Sequence, residues 1–278
     1  MSNILNISIL GASGYVGSEM INLCLKHPNI KIDSVSANES TGLNISKVIP
    51  GLGNSLNLTF KSLDQIDFSG IDFIFSCLPH TELQSNLSKL PNNIKLIDLS
   101  ADFRLKNPNE YSQWYDFIHS CPEKLNEFIY GLTEFNREKI KDARYIANPG
   151  CYPTSILIPL IPILKNNIIT GKNIIIDSKS GYSGAGKSRK TENIFAEVNE
   201  NIKSYGIGDH RHIAEINQEL SNFSNEIVNV FFTANLIPVN RGILSNIYLN
   251  IDANKQGEIY ECLKDAFDNE EFVSLLPL

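Results

Sequence analysis

The chain has 278 residues, of which 42% are hydrophobic and 20% charged, with a net charge of -7. That composition belongs to a globular protein able to bury a sizeable core, and the length allows two domains. The acidic balance argues against a nucleic-acid or anionic-membrane partner, because both demand a basic surface. Five scattered cysteines, Cys24, Cys77, Cys121, Cys151 and Cys262, make no C-x-x-C pair. This is a reduced, cytoplasmic pattern with neither a zinc site nor a disulfide framework. The first residues lack a positive n-region and run into glycines, so they read as a strand, not a signal peptide. No apolar run approaches membrane-spanning length.

Ile4 to Leu10 reads as the first strand. Gly11-Ala-Ser-Gly14-Tyr-Val-Gly17 then opens a helix over Ser18 to Lys26, and Ile30 to Ser36 is the second strand. Strand, glycine-rich turn, helix and strand predict a dinucleotide-binding βαβ unit. Gly11, Gly14 and Gly17 serve the tight turn, the close approach to a pyrophosphate and the packing of helix on sheet, with Ser13, Tyr15 and Val16 as neighbouring cofactor contacts. The second strand ends in small polar residues, Ser36 and Asn38, and its carboxylate, Glu39, lags behind. That order leaves room for a 2′-phosphate and leans toward NADP.

Two more strands follow, Ile71 to Cys77 and Lys95 to Ser100. The first runs into Leu78-Pro79-His80, a loop at the strand end where such sheets hold their ligands. The second leads to Asp102-Phe103-Arg104, whose guanidinium could clamp a phosphate or carboxylate or simply lie on the surface. Residues 105–137 read as a long packed connection with its aromatics in the core. The expected division is a Rossmann dinucleotide-binding domain over 1–147 and an α+β catalytic and dimerisation domain over 148–278.

The second part opens with Asn148-Pro149-Gly150-Cys151-Tyr152-Pro153 between a short extended run and an apolar helix. Pro149-Gly150 turns the chain, and Pro153 suits a first helical turn. Cys151 therefore falls at a helix N-terminus, where unpaired N–H groups and the helix dipole favour a thiolate and any oxyanion formed by its attack on a carbonyl. A buried, inert thiol is the competing expectation. Lys172 to Ser180 is a strand leading into Gly181-Tyr-Ser-Gly-Ala-Gly186-Lys187-Ser188, which matches the phosphate-loop pattern G-x-x-x-x-G-K-S. A nucleotide-hydrolysing core is disfavoured, because Arg189-Lys-Thr-Glu-Asn-Ile is a poor start for a helix beneath a sheet. Tyr205 to Ile216 is a second polar cluster, with His210, Arg211, His212 and Glu215. A thiolate mechanism needs an acid/base near neutrality, and histidine is the natural choice. His210 directly follows the Gly206-Ile-Gly208 bend, which favours it over His212. Val228 to Leu236 and Gly242 to Ile251 suit an antiparallel sheet, with Arg241 between them as a candidate anion ligand.

Taken together, Gly-Ala-Ser-Gly-Tyr-Val-Gly (11–17), Leu-Pro-His (78–80), Asp-Leu-Ser-Ala-Asp-Phe-Arg (98–104), Tyr-Gly-Leu-Thr-Glu (130–134), Asn-Pro-Gly-Cys-Tyr-Pro-Thr (148–154), Ser-Gly-Tyr-Ser-Gly-Ala-Gly-Lys (180–187), His-Arg-His (210–212) and Pro-Val-Asn-Arg-Gly (238–242) resemble the N-acetyl-gamma-glutamyl-phosphate reductases. Aspartate-semialdehyde dehydrogenases share the layout, but the Asp-Phe-Arg and His-Arg-His stretches point to the acetylglutamyl enzymes. The resemblance implies NADPH-dependent reduction of N-acetyl-L-glutamyl 5-phosphate, a small acyl phosphate, to the semialdehyde with release of phosphate, in arginine biosynthesis. It implies Cys151 as the thioester-forming nucleophile and His210 as the acid/base. It places Arg104, Ser180, His212 and Glu215 at the substrate, and Gly184 and Gly186 in a loop near cofactor and phosphate. It further implies a homo-oligomer, dimer or tetramer, in the cytoplasm. Family chains continue past Leu278 with another strand and a closing helix, so a fragment with weakened NADP binding is expected. The rival expectations are an NTPase built on 181–188 and a cofactor-binding regulator in which Cys151 is inert.

Overall fold

A computed structural model describes residues 4–53, 55–187, 195–224 and 226–277. The chain divides into two compact units, Met1–Pro108 with Ile118–Pro149, and Asn109–Phe117 with Gly150–Leu278. Segment 109–117 thus belongs to the second unit, although it precedes the rest of that unit by more than thirty residues of the first.

The first unit begins with β1 (Leu5–Leu10), α1 (Tyr15–Lys26) and β2 (Ile30–Val35). A short α2 (Ile45–Val48) follows, then β3 (Phe73–Ser76), α3 (Glu82–Asn86) and β4 (Lys95–Asp98). The expected packed connection over 105–137 instead carries structure of its own. It holds α4 (Asn109–Tyr115), β5 (Phe128–Tyr130) and the first half of α5 (Thr133–Asp142), before β6 (Tyr145–Ala147). Its aromatics gave no periodicity because they serve different neighbours. Phe128 stacks on Phe103, while Tyr111 tilts against Tyr115 and Phe117 in the second unit.

The strand order is β2-β1-β3-β4-β6-β5, and every pairing is parallel. Crossovers between neighbours of this kind bring the strand ends together at one edge, where an open parallel sheet holds its ligand. Ile7, Ile9 and Val35 of the sheet, Ile21 and Cys24 of α1, and Ile32 and Phe60 form the apolar core under that edge.

The second unit is built on α6 (Cys151–Lys165), β7 (Ile175–Ser180), α7 (Phe195–Val198), β8 (Lys203–Tyr205), α8 (His212–Phe223), β9 (Phe231–Leu236), β10 (Ile243–Tyr248) and α9 (Gln256–Phe267). Its sheet runs β10-β7-β9-β8. It is mixed, not antiparallel throughout as the sequence suggested. β7 and β9 run parallel because the intervening chain returns through α8, while β10 and β8 flank them antiparallel. α6 is nearly all apolar and packs against α8, α9 and β10, tolerating Pro159 and Pro162 in its interior. A chain of hydroxyls, Ser155 to Ser245 (2.8 Å) and Ser245 to Ser178 (2.7 Å), ties it to the sheet. The register places Tyr248, Ile175 and Phe231 side by side, and all three are exposed, as is Leu244. Ile176 and Phe232, one step along, are buried. One face of this sheet is therefore core, and the other is an open apolar and polar surface.

Candidate functional site

In the first unit the predicted cofactor residues gather at the ends of β1, β2 and β3. Gly11 has φ +70, and a Cβ there would lie 2.6 Å from the Cys77 carbonyl oxygen. A Cβ on Gly17 would meet Ala12 at 2.5 Å, so glycine is what lets α1 lie this close to the turn. Gly14 caps α1 in extended conformation, with no side-chain cap and no acidic residue in the first turn. A Cβ at Gly14 would meet only the Gly11 oxygen, at 3.9 Å, so the space over this turn is open. Tyr15 and Val16 are exposed beside it. α1 starts three residues earlier than the sequence suggested, because the turn needs only Gly11 to Gly14. Ser36 is buried, and its hydroxyl accepts the Gly11 N–H at 3.1 Å, so it braces the turn. Asn38 and Pro79 are exposed at the same edge. A twelve-residue helix with no side-chain cap and no carboxylate in its first turn fits the pyrophosphate of a dinucleotide.

A buried acidic knot supports this edge. Asp102 accepts the N–H groups of Thr81 (2.7 Å) and Gln84 (3.1 Å), which holds Thr81 at φ +72 and orders the loop after Pro79. Asp98 accepts the N–H and hydroxyl of Ser100. Burial, with Asp102 nearby, pushes Asp98 up to about 7. Arg104 is buried, and its guanidinium donates to the carbonyls of Asn148 (2.8 Å) and Leu99 (3.0 Å). Asn148 in turn donates its N–H to the Asp98 carbonyl at 2.7 Å. In this structure Arg104 grips the strand end that leads toward Cys151, by bonds invisible in the sequence.

The second unit brings together Cys151, Ser180, His210, His212 and Glu215. Cys151 is the first residue of α6, after a Gly150 cap with no side-chain cap and no acid in the first turn. It is exposed, unlike Cys24, Cys77, Cys121 and Cys262. Burial pushes the Cys24 and Cys121 thiols up to about 11 and Cys77 to about 12, and it raises Cys262 too. Glu215, fully buried in the first turn of α8, accepts the Gly150 N–H at 2.7 Å. That bond fixes the cap residue just before the thiol, a contact between residues 65 apart that no local pattern reveals.

His210 is buried inside a box of rings: Tyr152 at 5.5 Å, Tyr205 at 5.4 Å, Phe232 at 5.3 Å and His212 at 4.9 Å, all edge-on. Its Nδ1 accepts the His212 N–H at 3.1 Å. Burial, and after it the Arg211 cation, pushes His210 down to about 4. Gly206, at φ +57, makes the approach, since a Cβ there would lie 2.9 Å from the His210 Cβ. The Tyr152 and Tyr205 hydroxyls meet at 2.8 Å. Tyr152 and Tyr205 were the residues to single out from the sequence, one beside Cys151 and the other opening the His cluster. Ser180 is buried, and its hydroxyl donates to the Gly181 carbonyl at 3.0 Å.

Over its described residues the phosphate-loop pattern spends most of its N–H donors on the protein's own carbonyls. Tyr182–Ala185 is a single 3-10 turn. The N–H groups of Gly181, Tyr182 and Ser183 donate to the carbonyls of Gly242, Val239 and Asn240, each at 3.0 Å. Those of Gly184 and Gly186 turn back onto Gly181 and Ser183. Donors spent on the protein cannot bind a phosphate. Gly184, Gly186 and Arg241 are exposed along this loop, and residues 188–194, the expected poor helix start, lie outside the described residues.

The semialdehyde dehydrogenase NAD-binding domain model matches residues 6–143, and the semialdehyde dehydrogenase dimerisation domain model matches residues 151–278. The chain is 47% identical over 254 residues to an N-acetyl-gamma-glutamyl-phosphate reductase of Ehrlichia canis, covering 91% of this chain and 73% of the relative. It is 44% identical to that of Campylobacter jejuni subsp. doylei, covering 98% and 80%. A probable chloroplastic reductase of Arabidopsis thaliana is 45% identical, and the chain spans 68% of its length; for a rice relative the share is 65%. Among solved structures, aspartate semialdehyde dehydrogenase II from Vibrio cholerae superposes with a TM-score of 0.69 at 18% identity, covering 99% of this chain and 82% of that one. Among the described residues, no helix is long and apolar enough to cross a membrane.

Proposed function

The chain belongs to the semialdehyde dehydrogenase family as one of its N-acetyl-gamma-glutamyl-phosphate reductases, and from that premise we propose that Cys151 carries an acyl-transfer step in reducing N-acetyl-L-glutamyl 5-phosphate to the semialdehyde. The observation that carries this reading is an exposed thiol at the first position of a fifteen-residue helix with an uncapped N-terminus. The helix field favours the thiolate. Sγ attacks the acyl carbon, a C–S bond forms, the C–O bond to phosphate breaks, and phosphate leaves with the electron pair. The N–H groups at the start of α6 are donors for the oxyanion that develops. Gly11 to Gly17, with the small residues Ser36 and Asn38, would hold NADPH, which when bound would supply the hydride that turns the thioester into aldehyde. Breaking the C–S bond then returns sulfur as thiolate.

Around this step, Glu215 holds the cap of α6, His212 opens α8, and His210 lies just before that helix. Ser180 and Arg241 are proposed on the substrate side, with Gly184 and Gly186 beside cofactor and phosphate. Arg104 contributes by gripping Asn148. We place the enzyme in a reducing compartment, the cytoplasm, which suits five scattered cysteines. We also infer a homo-oligomer that covers the open row of Tyr248, Ile175 and Phe231. The deciding assay is phosphate-dependent reduction of NADP by N-acetylglutamate semialdehyde. Turnover that requires phosphate and Cys151 supports the reading. Turnover indifferent to either sinks it.

A further inference from the structure

We propose that Lys61 is the cation that reads the 2′-phosphate of NADP, and so the residue that separates NADP from NAD. The proposal rests on the reading that Gly11 to Gly17, with Ser36 and Asn38, hold the cofactor. Small polar residues after β2 make room for a phosphate but bring no charge to meet it. No arginine follows that strand, and between Ser36 and Phe60 the one basic residue is Lys47. Lys61 comes later in the chain, and only the fold carries it to this place.

Beyond β2 the chain turns and then returns alongside itself. Thr41 closes the turn, donating its N–H to the Asn38 carbonyl at 3.2 Å and its hydroxyl to the Ala37 carbonyl at 2.6 Å. On the way back, Gly42 donates its N–H to the Phe60 carbonyl (2.8 Å), and Phe60 donates its own to the Leu43 carbonyl (3.0 Å). The next residue, Lys61, pairs in parallel with Ser36. Its N–H donates to the Val35 carbonyl at 3.1 Å, and its carbonyl accepts the Ala37 N–H at 3.0 Å. Lys61 is thus an added rung just past the carboxyl end of β2, where a sheet of this kind holds the ribose.

Residues paired across neighbouring strands carry their side chains on the same face of the sheet. Ser36 aims its hydroxyl at the Gly11 N–H, 3.1 Å away. The Lys61 side chain therefore leaves the backbone on the face that meets the glycine turn. Phe60, one residue back, belongs to the core. Lys61 is exposed, and among the described residues its ammonium makes no ion pair. Asp67 is the carboxylate that feels its charge, and Glu39 lies exposed on the turn itself. A Cβ on Gly42 would meet nothing within 4 Å, so the turn is open to a ligand. An ammonium with three donors on a flexible stem suits a phosphomonoester arriving from solvent. The 2′-hydroxyl of NAD offers it no charge.

Calorimetric titration with adenosine 2′,5′-bisphosphate and with 5′-AMP isolates the contact, because these probes differ only in the 2′-phosphate. The wild type should bind the bisphosphate at least about tenfold more tightly. Lys61→Gln should lose about tenfold for the bisphosphate and for NADP, and nothing measurable for AMP or NAD. Lys61→Arg keeps the charge and should keep most of the discrimination, and Lys47→Gln should keep all of it. The bonds that seat Lys61 belong to its backbone, so these variants should fold as the wild type does. Equal losses for both probes, an unchanged bisphosphate affinity, or a loss at Lys47 in place of Lys61 overturns the proposal. The underlying reading fails in a different way: Gly14→Asp would leave NADP and NAD affinities alike unchanged, a result that no Lys61 variant can produce.

Discussion

Two helices of this chain start in the same way and are put to opposite uses. α1 and α6 both follow a glycine cap in extended conformation, lack a side-chain cap and carry no acid in the first turn. At α1 the space over the cap is open and the flanking Tyr15 and Val16 are exposed, so the positive end of the helix faces whatever arrives from outside. At α6 the cap N–H is held by a buried carboxylate and the first helical residue is the thiol itself. On the function proposed above, the same backbone field would serve a visiting anion in one unit and a resident one in the other. The Gly181 loop shows the converse. Its letters promise an anion site, yet the N–H groups of Gly181, Tyr182, Ser183, Gly184 and Gly186 are already taken. What decides is where the donors go, not the glycines.

The comparison can be broken hardest at Cys151. Cys151→Ser is expected to lose at least ~10³-fold in turnover, since a hydroxyl is a far weaker nucleophile near neutral pH. Because Cys151 is exposed, the melting temperature should hold. Iodoacetamide followed by peptide mapping should mark Cys151 before Cys24, Cys77, Cys121 and Cys262, and prior labelling of those four with activity intact would refute its role. Glu215→Ala tests the resident half next. It leaves the Gly150 N–H without its acceptor, which should cost about 1–3 kcal/mol in denaturant unfolding. Turnover should fall roughly 10- to 100-fold as the thiol loses its placement. Glu215→Gln keeps an oxygen acceptor and should restore most of both, so equal damage from the two variants would show that the charge, not the bond, matters.

Gly14→Asp probes the visitor's side with effects of opposite sign. The backbone there accepts any residue and a Cβ has room, so an aspartate should cap α1 and raise stability by a few tenths of a kcal/mol, ~0.3. The same carboxylate should weaken NADP binding by about tenfold or more, measured by calorimetric titration. Unchanged affinity would mean that the diphosphate lies elsewhere. Tyr205→Phe should have the smallest effect. It removes the hydroxyl contact with Tyr152 while keeping the ring against His210, so about 1 kcal/mol of stability and only a few-fold in turnover are at stake.

Much of the frame was legible because it is local. The first strand, the glycine turn and the second strand announce a parallel sheet by spacing alone, and Pro149, Gly150 and Pro153 announce the helix that starts at Cys151. What escaped is what joins residues far apart in sequence. Glu215 reads as an acid one turn beyond His212, and only the packing of α8 on α6 makes it the acceptor for Gly150. Arg104 reads as an anion clamp, and nothing local announces the bonds it also makes to Asn148 and Leu99. Residues 105–137 showed no period because the segment serves two units in turn. The mixed order of the second sheet was hidden for the same reason. Strand patterns tell which face is buried, not which neighbour runs alongside.

The buried carboxyl of Asp98 and the boxed imidazole of His210 also set how folding exchanges protons with the buffer. Asp98 keeps its proton up to about 7 when folded, against about 3.9 in an unfolded chain. Its contribution to stability is therefore full below the unfolded value and fades as pH rises through the folded one. Between those limits, unfolding of the first unit releases a proton through Asp98. His210 is the mirror image: it stays neutral down to about 4 when folded and gains a proton when the chain opens at any pH between there and about 6.5. Calorimetry in buffers of different ionisation heat should therefore find contributions of opposite sign, release at Asp98, Asp102 and Glu110 and uptake at His210 and His119, with the uptake shrinking in His210→Gln.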